Sequence, residues 1–128
     1  ALMLSWRFIG DPEQEARAVT IDRVKTVMAA LERYAIDNGG SFPTTDQGLE
    51  ALATRPDGET ESVRWNGPYV RDTEVFVDAW GAPLNYVSPL EGDDPYHLWS
   101  NGADRAEGGE GGGADADIKS WDRSSMVP

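Results

Sequence analysis

The sequence predicts an α+β domain: one long N-terminal helix packed on a small antiparallel β-sheet, with a metal-binding loop near the C-terminus. Three observations carry this expectation. Apolar residues recur at the helical period of about 3.6 residues through the first third of the chain. Two short runs, residues 84–87 and 96–99, read as strands. A glycine-rich acidic stretch then precedes Ile118 and Trp121, where apolar chain is expected to rejoin the core. Helix first and sheet second is the order of the α+β class.

The helix is expected over residues 12–38. Asp11 can cap it, Pro12 suits the first helical position, and Gln14 completes a capping box. Val24, Val27, Met28, Leu31, Tyr34 and Ala35 form one stripe, which Ala16, Ala18 and Ile21 extend backwards. Asp37, Asn38, Gly39 and Gly40 stop it. Such a helix is about 40 Å long, more than a domain of this size needs. One end is expected to project, or to continue into chain preceding Ala1. Residues 1–10 are expected to be a stalk remnant or a cloning-derived extension. Their apolar residues are interrupted by Ser5, Arg7 and Gly10 and are too few to span a bilayer.

Residues 11–128 are expected to form a single globular domain, divided into the helix, a variable loop region over 39–83, and the sheet with its calcium loop over 84–122. Thr44 and Gln47 make a second capping box, and Leu49, Ala51 and Leu52 a short helix ending before Pro56. Trp65 and Trp80 stand among Gly and Pro turn residues. With Trp99 they read as core wedges rather than a ligand platform. Residues 89–95 link the two strands as a hairpin loop, and residues 117–121 can add a third strand.

The acidic loop carries five carboxylates: Asp104, Glu107, Glu110, Asp115 and Asp117. Held together they repel, and a hard cation relieves that. Calcium suits the loop, because it takes about six to eight oxygen ligands in flexible geometry. The spacing is not that of an EF-hand. The Gly-Gly-x-Gly-x-Asp calcium repeat resembles residues 108–115 loosely, but it works as a stacked array and one copy is present. A flexible, solvated acidic loop is the competing reading.

Composition excludes several functions. With 11 Lys and Arg against 23 Asp and Glu, the net charge is −12. That disfavours nucleic acid and anionic membrane surfaces as partners. There is no cysteine, and the sole histidine, His97, falls in an expected strand. No nucleophile elbow, phosphate loop or His-rich metal motif is present. Paired carboxylates can serve a glycosidase, but acidic pairs arise in any chain this acidic. No enzyme activity is expected.

Several blocks together resemble one family. These are residues 30–39, the run Phe42-Pro43-Thr44-Thr45-Asp46-Gln47-Gly48-Leu49-Glu50-Ala51-Leu52, Trp65-Asn66-Gly67-Pro68-Tyr69, and residues 78–86. The late blocks are Ser100-Asn101-Gly102-Ala103-Asp104, Gly108-Gly109-Glu110-Gly111 and Ala116-Asp117-Ile118-Lys119-Ser120-Trp121. In this order, over roughly residues 12–122, they resemble the periplasmic part of the major pseudopilins of type II secretion systems.

The resemblance implies a type IV pilin-like fold. It also implies an apolar N-terminal half-helix, absent here, that a prepilin peptidase processes and that anchors the protein in the inner membrane. Copies of the subunit would polymerise into a periplasmic pseudopilus that helps export folded proteins. Their partners would be minor pseudopilins and an inner-membrane assembly platform, with energy from a cytoplasmic ATPase. The resemblance further implies Ca2+ in the late loop, with Asp104 and Asp117 as ligands and carbonyls near Asn101 and within 105–115 completing the set. Ala116 stands where some members have a second acid; Asp115 replaces it, or the coordination is altered. Arg105 stands where glycine is common. The alternatives are a type IV pilin subunit or a calcium-dependent carbohydrate-binding or adhesive module, which glycan titration against a filament assay would separate.

Overall fold

A computed structural model describes residues 12–56, 64–103 and 117–127. Helix α1 spans Pro12–Asp37, as the stripe predicts; Asp11, its expected cap, lies outside the described residues. Ile21, Val24, Val27, Ala30, Leu31, Tyr34 and Ala35 are all buried. The helix ends as its sequence requires. The Gly40 N–H reaches back to the Ala35 carbonyl at 2.7 Å, and Gly39 and Gly40 take φ of 70° and 89°, a left-handed geometry that costs glycine little.

The projection expected from the length of α1 is confined to its first turn. Burial reaches Thr20 and Arg17, and only residues 12–15 are exposed throughout. Both buried residues are polar, so the apolar stripe did not reveal them. Thr20 Oγ1 donates to the Ala16 carbonyl at 2.8 Å and accepts from the Ala79 N–H at 3.0 Å. Arg17 is 2 % exposed, and its Nη2 donates to the Ser125 carbonyl at 2.8 Å. Burial lowers its pKa, yet a guanidinium stays charged in proteins. The C-terminal segment therefore folds back over this half of the helix.

The second capping box forms, with a different consequence. Gln47 Oε1 accepts from the Thr44 N–H at 2.9 Å, and Thr44 Oγ1 accepts from the Gln47 N–H at 3.2 Å. This pair closes a turn rather than starting an α-helix. A four-residue 3-10 helix, Leu49–Leu52, follows from Gly48. Trp65 Nε1 then donates to the Ala51 carbonyl at 2.6 Å, and the Trp65 and Tyr69 rings meet edge to face at 5.7 Å. Gly67 lies between them; a Cβ there would come within 2.8 Å of both rings.

The sheet has the order β1-β2-β3, all antiparallel. Its strands are β1 Asn85–Val87, β2 His97–Ser100 and β3 Ile118–Lys119. The register pairs Tyr86 with Leu98 and Ser100 with Ile118. Leu98 and Ser100 are buried on one face of β2, while His97 and Trp99 are half-buried on the other. Leu98 and Ile118 join the helix stripe in one core with Leu52, Tyr69, Phe76 and Tyr96.

Two aromatic expectations need correction. Trp65 and Trp80 pack against the core, but Trp99 lies on the opposite face, because the period of two puts it out of phase with Leu98. There it meets Trp121 edge on at 5.8 Å. Trp121 is 39 % exposed, so the chain rejoins the core at Ile118 and not at Trp121. His97 stacks on Trp121 at 3.7 Å.

The tyrosines of the core make stability pH-dependent at the alkaline end. Burial pushes the Tyr96 phenol up to about 12 and raises Tyr86 as well, whose hydroxyl donates to the Pro43 carbonyl at 2.6 Å. The folded chain therefore keeps phenol protons that the unfolded chain releases near pH 10. Their contribution is intact below about pH 10 and is lost as pH climbs from there towards about 12. Urea midpoints should fall over that window, and Tyr96→Phe should flatten the fall. A midpoint that the substitution leaves equally steep would refute this.

Candidate metal site

The acidic loop connects two paired strand ends. β2 finishes at Ser100, β3 begins at Ile118, and these residues face each other in the register. Asn101 and Asp117 are the next residue on each side, so the topology brings both to the loop mouth. Asp117 is 5 % exposed. Asn101 Oδ1 is buried and accepts no hydrogen bond among the described residues. A buried acceptor in that condition is costly, and a cation would satisfy it. Asp104 and Asp115, the other expected ligands, lie outside the described residues. Among the described residues, no group of three or more His, Asp and Glu side chains forms a metal cluster. The donors that are placed, an amide oxygen and a carboxylate, fit a hard oxygen-seeking ion such as calcium.

A turn from another part of the chain supports this mouth. Asp78 is 2 % exposed. Its Oδ1 accepts from the Trp80 and Ala82 N–H groups at 3.0 and 2.9 Å. Its Oδ2 accepts from Ser100 Oγ at 2.9 Å. Ser100 Oγ in turn accepts from the Gly102 N–H at 3.2 Å. Gly102 is buried and has φ of 80°, so the chain turns sharply just as it enters the loop. Sequence reasoning did not connect Asp78 to this mouth. The signal available was its Asp-x-x-Gly spacing, which suits a side chain that closes its own turn.

The far side of β3 is held by the C-terminal segment. The Lys119 N–H donates to Ser125 Oγ at 2.9 Å, and Ser125 Oγ donates to the Asp122 carbonyl at 2.6 Å. Asp122 caps the 3-10 helix Arg123–Met126 by accepting from the Ser124 N–H. The Ser124 hydroxyl, bonded at 2.6 Å, is the first cause that lowers the Asp122 pKa. His97, 3.4 Å from Asp94 and stacked on Trp121, takes a structural position on the outer face of the sheet.

Known proteins share this fold. The family model described as type II secretion system (T2SS), protein G, matches residues 7–121. The type II secretion system core protein G of Pseudomonas aeruginosa is 40% identical over 112 residues, covering 87% of this chain and 75% of that protein. Its counterpart in Vibrio cholerae is 37% identical over 114 residues, covering 88% and 73%. The crystal structure of the major pseudopilin from the type 2 secretion system of enterohaemorrhagic Escherichia coli superposes with a TM-score of 0.65 at 27% identity, covering 88% of this chain and 92% of that one. The long helix, the three-stranded antiparallel sheet and these matches agree: the chain belongs to the type II secretion system protein G family, that of the major pseudopilins.

Proposed function

We propose that this chain is the polymerising subunit of a periplasmic pseudopilus and that calcium stabilises its globular domain. Family membership carries the first part. The domain contributes a rigid body: α1 is fixed to the sheet through its buried stripe and to the C-terminal segment through Arg17. No described helix is long and apolar enough to cross a membrane; in this reading the family's apolar N-terminal segment supplies the anchor and the filament interior. The partners are further copies of the chain, minor pseudopilins and the inner-membrane platform. Its role is structural, with no reaction of its own.

The buried Asn101 acceptor beside Asp117 supports the second part. Asp104 and Asp117 would supply charge to the ion, with Asp115 and Asn101 as further ligands. The bound ion would offset the mutual repulsion of the loop carboxylates and hold its two ends together.

Complementation tests the subunit role. The chain is joined to the family's apolar N-terminal segment and expressed in Pseudomonas aeruginosa lacking its own core protein G. Restored secretion, with filaments on overexpression, is expected. A fusion that accumulates normally yet restores neither would overturn the reading.

A further inference from the structure

We propose that Asp78 is a positioning residue for the cation, holding the loop mouth in its binding geometry through Ser100. The inference rests on the calcium reading above and adds a residue from outside the loop.

The 78–82 turn is already secured without the second carboxylate oxygen. The Asp78 N–H donates to the Ala82 carbonyl at 2.8 Å, and the Gly81 N–H to the Asp78 carbonyl at 3.1 Å. The turn is tied to α1 as well, through Ala79 N–H to Thr20 Oγ1 and Arg23 Nη1 to the Val77 carbonyl at 2.9 Å. Oδ1 alone serves the two turn amides. Oδ2 points elsewhere, to Ser100, 22 residues on. Among the described residues Asp78 forms no ion pair. Burying a carboxylate on neutral donors alone is costly, and an asparagine oxygen would close the turn equally well. In this proposal the charge acts beyond its own turn, through Ser100.

The direction of the hydrogen bonds matters. A serine hydroxyl has one proton and two lone pairs. Here the proton goes to Asp78, which leaves Ser100 Oγ as an acceptor for Gly102. This charge-assisted string fixes Gly102 in its left-handed conformation and so fixes Asn101, enclosed between Ser100 and Gly102. Asparagine at 78 would present an N–H to Ser100. Ser100 would then face two donors, and the Gly102 bond would compete with the new one. Outer partners of metal ligands are worth about 10–100-fold in affinity in other sites.

The test uses the 128-residue chain, with Asp78→Asn, Ser100→Ala and the pair. Calcium affinity is measured by calorimetry, and melting is measured in chelator. Each single substitution is expected to weaken calcium binding about tenfold or more. The pair is expected to weaken it no more than either alone, since both break one string. Ser100→Ala removes a single oxygen and keeps the test available if Asp78→Asn does not fold. Unchanged affinity in the folded variants, even with lower melting in chelator, would make the contact merely structural and overturn the proposal. Losses that add in the pair would overturn the link between the two residues. A parent chain that binds no calcium would instead bring down the calcium reading itself.

Discussion

Calcium is expected to raise the melting temperature of this domain, and Asp117→Ala to remove most of the rise. A ligand present at about 1,000 times its dissociation constant adds about 4 kcal/mol, which for a domain of this length means a shift on the order of 10 °C. The effect should be large because of where the ion would sit. β3 is two residues long, too short a ladder to hold itself. Ser125 supports it at Lys119, but its other end is Asp117, at the loop mouth. A cation bridging Asp117 to Asn101 and Asp104 would pin that end to β2. Asp104→Ala should behave like Asp117→Ala, and Asp115→Ala should be milder. Magnesium should do much less, since it demands near-octahedral geometry and gives up its waters reluctantly. Melting is compared in calcium, in magnesium and in chelator. Identical curves in calcium and in chelator would remove the metal from the proposed function.

What the sequence disclosed and what it concealed divide along physical lines. The second half of α1 was legible because its interior is wholly apolar and periodic. The length of α1 predicts a projecting end, but its first half is held down at Arg17 and Thr20. Polar residues reveal no face until their partners are known, and those partners, Ser125 and Ala79, lie 108 and 59 residues away. The strands at 85–87 and 97–100 were legible from local pattern, but the phase of β2 was not. Leu98 and Trp99 are both strongly apolar, and only the register decides which faces the helix. At the site, Asp117 stood out as a carboxylate of the acidic loop, and Asn101 follows from the resemblance. Asp78 was seen only as part of a turn, since its role depends on a contact with Ser100 that no local spacing encodes. The capping box at Thr44 formed as written yet led into a 3-10 helix. Gly48, with φ of 65°, breaks the continuity that an α-helix would need.

The same site is expected to decide assembly. In the fusion used for complementation, the double substitution of Asp104 and Asp117 to alanine should abolish or severely reduce secretion while the subunit still accumulates. The effect would be transmitted through the sheet edge. β3 is an outer strand of the sheet, and the C-terminal segment that packs beside it also reaches α1 through Ser125 and Arg17. Loosening the Asp117 end of β3 therefore loosens a face made of three elements at once. Apart from Ile118, the core beneath is drawn from α1, the 3-10 helix at Leu49–Leu52 and residues such as Tyr69, Phe76, Leu84, Tyr96 and Leu98, and this part should survive, so monomer levels should fall less than filament levels. A filament multiplies the defect, because every added subunit must present the same face to the next. Raised external calcium should partly restore Asp115→Ala, whose site is weakened, but not the double substitution, whose site is gone. Secretion of a known substrate and filaments on overexpression are scored at matched subunit abundance. Full secretion and normal filaments from the double variant would show that the loop contributes nothing to assembly, whatever it does for the isolated domain.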